Sequence, residues 1–162
     1  MTTNTNELEY NLEEGLPKDW LTAPKNADAG YDLRADLRKM HNTATIAIDP
    51  QEQECFDVGV SIAIPQGYVG LVKGRSSLNG WGAFALNGVI DSGYTGPLKV
   101  MLYNSRRRVG PFLIRDDIFF VEHGDKIAQL LIVPVFTLPL KLVDALTETP
   151  RGDKGFGSTG RS

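Results

Sequence analysis

The sequence predicts an all-β domain, a sandwich or a barrel. Short apolar runs carry the prediction, at 45–48, 55–65, 68–73, 98–103, 118–121, 127–136 and 140–143, each punctuated by glycine, proline or polar turn residues. In the second run Phe56, Val58, Val60, Ile62 and Ile64 fall on every second position, which places them on one face of a strand. Helical periodicity is missing, apart from one short turn near 76–80.

Taken in order, residues 1–15 carry no clear apolar period and are expected to form a loose N-terminal arm, with the β domain over 16–146. Pro65-Gln66-Gly67 is the turn between the strand at 55–65 and the strand at 68–73. The helical turn follows, and a glycine-bracketed hairpin at 88–96 leads into the strand at 98–103. Gly124-Asp125 turns the chain into 127–136, where Leu130 to Phe136 are apolar on both faces. Such a run belongs in the deep core or at a subunit contact, with Pro134 at a bulge or an edge. Residues 147–162 are expected as a flexible C-terminal lid.

Composition bounds the function. With 162 residues the chain suits one domain that buries roughly 70% of its unfolded surface. It is 41% hydrophobic and 23% charged with a net charge of −3, which argues against broad binding to nucleic acid, so an anionic ligand must meet a local cluster of cations. The single cysteine, Cys55, excludes an intramolecular disulfide and a multi-cysteine zinc site; it fits a reducing cytoplasm and is expected as a small buried residue. No basic-then-apolar leader and no run of 18 apolar residues is present, the pattern of a soluble, intracellular protein.

The densest chemistry lies at the end of the chain. Arg151-Gly152-Asp153-Lys154-Gly155-Phe156-Gly157-Ser158-Thr159-Gly160 combines two cations, four glycines, an aromatic ring and two hydroxyls, a clamp for a phosphorylated, ring-bearing ligand. Gly88-Val89-Ile90-Asp91-Ser92-Gly93-Tyr94-Thr95-Gly96 presents a carboxylate and a phenol at a hairpin tip, where Asp91 can serve as a general base or as an ordinary turn residue. Gly74-Arg75-Ser76-Ser77-Leu78 offers a guanidinium and two hydroxyls for phosphate, or a serine cap beside a solvated arginine. Gln129, the uncharged polar residue of its run, needs a partner unless it faces solvent on an edge strand. Neither GxxxxGK[ST] nor GxGxxG is present, which disfavours P-loop and Rossmann sites. His41 and His123 are isolated from each other and from carboxylate pairs at metal-ligand spacing, and are expected at the surface. Arg106-Arg107-Arg108 beside Asn104-Ser105 and Gly110-Pro111 marks a solvated loop.

In order along the chain, Ala29-Gly30-Tyr31-Asp32-Leu33-Arg34-Ala35, Gly74-Arg75-Ser76-Ser77-Leu78, Gly88-Val89-Ile90-Asp91-Ser92-Gly93-Tyr94, Gly124-Asp125-Lys126-Ile127-Ala128-Gln129-Leu130 and the glycine-rich tail resemble the five motifs of the trimeric dUTPases. The resemblance implies a jelly-roll-like distorted β-barrel with a flexible C-terminal arm, assembled as a homotrimer with sites at subunit interfaces. It implies that Asp91 activates the water that attacks the α-phosphorus of dUTP, giving dUMP and pyrophosphate, with Asp32 supporting the site from behind. Arg75, Ser76, Ser77 and Gln129 would contact the phosphates, and Arg151, Gly157, Ser158 and Thr159 would close over them. Asn87, Gly88, Ile90 and Lys99 would line the nucleoside pocket, with Tyr94 under the deoxyribose and Phe156 stacked on uracil. Magnesium would ride on the triphosphate and water, without a protein cage.

Two departures point toward the related dCTP deaminases, which share the fold. The interval from Arg75 to Asp91 is short for a dUTPase, with Asn87 directly before Gly88, and Thr95 stands where a basic residue is common. Deaminases need a glutamate in the strand after the hairpin, and the matching place in Leu98-Lys99-Val100-Met101-Leu102-Tyr103-Asn104 holds Met101. A thioether cannot relay a proton, so deamination, alone or combined with diphosphatase activity, is disfavoured. A third reading is a dUTP-gated regulatory protein that engages a macromolecule through Arg106-Arg107-Arg108.

Overall fold

The computed structural model describes residues 7–25, 28–39, 43–86, 88–107, 115–150 and 152. Its strands are β1 (Glu9–Leu12), β2 (Tyr31–Arg34), β3 (Thr45–Ile48), β4 (Gln53–Ala63), β5 (Tyr68–Lys73), β6 (Ala83–Leu86), β7 (Val89–Ile90), β8 (Pro97–Asn104), β9 (Phe119–Glu122) and β10 (Lys126–Pro134). One helix, α1 (Ser76–Trp81), and a 3-10 turn at Arg115–Asp117 complete the elements. The strands form two four-stranded sheets, ordered β1-β4-β8-β6 and β2-β10-β5-β7, and a β3-β9 ribbon. Every pairing is antiparallel, and the whole is a jelly-roll-like β fold.

The alternation in β4 builds the core. Phe56, Val58, Val60, Ile62 and Ile64 are all buried and meet Leu33, Val72, Leu98, Val100, Leu102 and Leu130 from the neighbouring strands. Burial of each such side chain stabilises the fold by about 1.5–3 kcal/mol. The pairing of β4 with β8 shifts register between Asp57 and Ser61, around Gly59, whose φ of 65° only glycine adopts freely. A Cβ there would lie 2.3 Å from Leu16 Cδ1.

A second irregularity shapes the polar face. In the β10–β2 pair Gln129 opposes Asp32 and Ala128 opposes Leu33, yet Arg34 is opposed by Lys126, leaving Ile127 as an extra residue. Ile127 and Ala128 are consequently both buried. Without that bulge Lys126 would point to the face opposite Gln129; with it, Asp32, Arg34, Lys126 and Gln129 share one face.

Several expectations need correction. The stretch expected as a loose arm contains β1, because its backbone pairs with Val60–Ile62 of β4 and Ala63 while Leu8 and Leu12 pack on the core. Residues 140–143 form no strand, and Leu140 and Leu142 are fully exposed, since no strand among the described residues pairs with them. Pro134, by contrast, stands at an edge as expected: it ends β10 opposite Tyr68, past Leu130, where the pairing with β2 stops. Cys55 is exposed, because it lies on the outer face of the strand whose inner face carries Phe56.

Candidate active site

Residues 88–96 form one half of the site, but not as the expected hairpin: β7 pairs with β5 while β8 pairs with β4 and β6, so the turn crosses from one sheet to the other. Ile90 ends β7, held opposite Gly70 of β5, and Asp91 follows in a turn closed by the Tyr94 amide donating to the Asp91 carbonyl at 3.0 Å. Gly88 joins the sheet by accepting from the Val72 amide. Tyr94 donates its hydroxyl to the Pro97 carbonyl at 2.9 Å, and its ring lies so close over Gly96 that a Cβ there would be 2.7 Å from the phenol oxygen. The ring is therefore fixed before any ligand arrives. Val89, Ile90, Asp91, Tyr94, Pro97, Leu98 and Lys99 line a cavity of about 320 Å³. Lys99 reaches Asp57 at 3.1 Å across the β4–β8 pair, and that hydrogen bond raises its ammonium pKa above the ordinary value. Asp91 is exposed, and its carboxylate has no ion pair among the described residues.

The phosphate-binding candidates form the other half. Asp32 pairs with Lys126 at 2.6 Å and with Arg75 Nε at 3.4 Å, while Arg75 Nη1 donates to the Lys126 carbonyl at 3.1 Å. One carboxylate thus holds two cations side by side. Arg34 Nη1 donates to the Gly124 carbonyl at 3.0 Å and fastens the turn entering β10. Arg34, Arg75 and Lys126, with Leu78, Phe119 and the Gly124-Asp125 turn, line a second cavity of about 440 Å³. Ser76 and Ser77 are exposed at the head of α1, where neither hydroxyl is committed to a cap; Arg75 occupies the cap position instead. Gln129 lies half-buried on the central strand β10, with its side chain against Gly30, where a Cβ would come within 2.9 Å of Oε1. It is not on an edge strand.

The two halves do not meet within one chain. Asp91 follows the residue opposite Gly70, and Arg75 lies two residues past Lys73, the end of β5. The span from Gly70 to Lys73 alone covers about 10 Å of extended chain, with Asp91 and Arg75 beyond its opposite ends. The two cavities share no lining residue.

The structure adds Lys126 and Arg34 to the expected site. The signal for Arg34 was its alternation with Asp32 on one strand, whereas the spacing of Lys126 and Gln129 puts both on one face only if a bulge intervenes. Asn87, Arg151, Phe156, Gly157, Ser158, Thr159 and His41 lie outside the described residues. Met101 is half-buried on β8 between Cys55 and Leu86, with no carboxylate in its place. Arg106 is not a solvated residue of a basic loop: its guanidinium stacks on Trp81 at 4.3 Å and donates to the Trp81 and Asp116 carbonyls. His123 is exposed, as expected, yet it stacks on Trp20 and accepts from the Leu37 amide. No helix among the described residues is long and apolar enough to cross a membrane.

The family model for dUTPase matches residues 17–160. Among curated proteins, the deoxyuridine 5'-triphosphate nucleotidohydrolase of Corynebacterium efficiens is 37% identical over 99% of this chain and 83% of its own length. The protein of the same name from Escherichia phage T5 is 38% identical over 82% of this chain and 85% of its own. Among solved structures, the Staphylococcus bacteriophage 80alpha dUTPase with dUPNHPP matches with a TM-score of 0.79 and 31% identity, covering 97% of this chain and 100% of that one. A mutant dUTPase from phage phi11 of S. aureus, whose structure reveals the coordination of a structural Mg(II) ion, matches with a TM-score of 0.73 and 28% identity over 88% and 100% of the two chains.

Proposed function

As this chain belongs to the dUTPase family and is a phosphoric-anhydride hydrolase that splits dUTP into dUMP and pyrophosphate, we propose that it does so in a site shared between the subunits of a homotrimer. The observation that carries the reading is the cavity at the turn between β7 and β8, which sets an exposed carboxylate beside a ring held by its hydroxyl. In this reading Asp91 takes a proton from a water molecule as its oxygen attacks the α-phosphorus. The bond from that phosphorus to the oxygen bridging to the β-phosphorus breaks, and pyrophosphate leaves with the electron pair. Tyr94 packs under the deoxyribose and leaves no room for a 2′-hydroxyl, while Asn87, Gly88, Ile90 and Lys99 line the nucleoside pocket.

Arg75, Ser76, Ser77 and Gln129 bind the phosphate chain, with Lys126 adding charge and Asp32 holding both cations in place. Arg151, Gly157, Ser158 and Thr159 close over the far phosphates, and Phe156 stacks on uracil. Magnesium suits this site, because it binds phosphate oxygens and keeps several waters with few protein ligands, and the exposed Asp91 carboxylate, without an ion pair among the described residues, can meet one of those waters rather than the metal itself. Bound with the triphosphate, it supplies neutralising charge. A cytoplasmic setting suits the exposed Cys55 thiol.

Two observations support the shared site. Asp91 and Arg75 line separate cavities, so a single triphosphate meets both only when a second chain brings its own half. Phe136, Leu138, Leu140 and Leu142 alternate along an exposed segment, 85%, 68%, 101% and 99% accessible, a pattern that another copy can cover. Asp91→Asn tests the chemistry. Turnover should fall by about 10²-fold or more, while a non-hydrolysable imido analogue of dUTP binds within a few-fold of wild type; near-normal turnover would remove Asp91 as the base.

A further inference from the structure

The helix that presents Ser76 and Ser77 cannot hold itself in place. It has six residues, none of them buried, and no side-chain cap at its start. A helix this short is unstable alone and takes its position from tertiary contacts. Those contacts gather at its far end, on Arg106. Arg106 Nε donates to the Trp81 carbonyl at 2.9 Å, and the guanidinium lies over the Trp81 ring at 4.3 Å. Nη1 donates to the Asp116 carbonyl at 3.2 Å and lies 3.9 Å from an Asp117 carboxylate oxygen. The backbone of Arg106 is fixed as well, its amide donating to the buried Asn104 and its carbonyl accepting from Gln51 Nε2 at 2.8 Å. Ser105, one residue earlier, donates both its amide and its hydroxyl to the carbonyl of Gly82, which closes the helix. On its other side Trp81 packs on Phe119, a wall of the cavity that holds Arg75 and Lys126.

We propose that Arg106 is a positioning residue for phosphate binding: it clamps the C-terminal end of α1 and so sets where Ser76 and Ser77 stand at the other end, beside Arg75, whose guanidinium is held separately by Asp32 and the Lys126 carbonyl. The inference rests on the reading of those three residues given above. Charge, a planar stack and a directed Nε–H are all used, so lysine is not an equivalent. None of the contacts of Arg106 reaches a residue lining the cavity between β7 and β8, and the nucleoside half of the site should be indifferent to it.

The experiment measures dUTP turnover by the wild-type chain and by Arg106→Ala, with the affinities of the imido analogue of dUTP and of deoxyuridine. The analogue affinity and kcat/KM should fall roughly 10-fold or more through misplacement of the phosphate ligands, while deoxyuridine affinity stays at the wild-type value. Arg107→Ala, at an exposed neighbour, should change neither. Equal losses for analogue and deoxyuridine, or no loss, would overturn the proposal. Should Arg106→Ala fail to fold, Arg106→Lys and Trp81→Leu must show the same split, and its absence in both would overturn the proposal equally. A wild-type chain inactive on dUTP would instead overturn the reading beneath it.

Discussion

Two carboxylates are each held by cations, and their surroundings separate a structural role from a functional one. Asp36 is buried, and Arg38 binds both of its oxygens, at 2.8 Å and 2.7 Å. Those hydrogen bonds hold its carboxyl below the ordinary carboxylate pKa, against the opposing effect of burial. A depressed folded-state pKa means that the pair contributes in full above the unfolded value of about 3.9 and loses its contribution as pH falls through the lower folded value. Asp36→Asn should therefore cost on the order of 2 kcal/mol at pH 7 and much less near pH 2, read as urea midpoints at each pH. Asp32 is nearly one-third exposed and spends its charge on Arg75 and Lys126, which face a cavity. Asp32, Arg75 and Asp91 were legible because glycine and turn residues bracket them. Lys126 was not, because its placement depends on a bulge that residue types alone do not announce, whereas Arg34 shares the Asp32 face by plain alternation.

At the scale of elements, strict alternation was the most informative signal. It identified β4, and the bounds of β3 and β5 follow their apolar runs residue for residue. The strands β1, β2, β6 and β7 escaped, having four, four, four and two residues. Such short strands bury too few side chains to leave a period, and their backbone partners hold them. The failure at 140–143 has the opposite cause, an apolar run with no partner edge among the described residues. Glycine placement is the testable feature here. Gly59→Ala forces a Cβ into Leu16 at a left-handed position and should destabilise the fold by about 2 kcal/mol or more in urea unfolding. An unchanged midpoint would mean that the β4 bulge relaxes freely.

For the whole molecule, the division of the site between two cavities sets a requirement that composition and periodicity could not express. In a shared site, an Asp91→Asn chain can lend its Arg75 to the intact Asp91 of an Arg75→Ala chain. Equal amounts of these two inactive variants, unfolded and refolded together, should recover about a quarter of wild-type activity, whereas sites complete within one chain would recover none. The most direct measurement of the central claim is incubation of the purified protein with dUTP, dCTP, dTTP and UTP separately in the presence of magnesium, following pyrophosphate, monophosphate and ammonia together. Pyrophosphate and dUMP from dUTP alone are the predicted result; ammonia from dCTP, equal turnover of UTP, or no product from any of the four would contradict it.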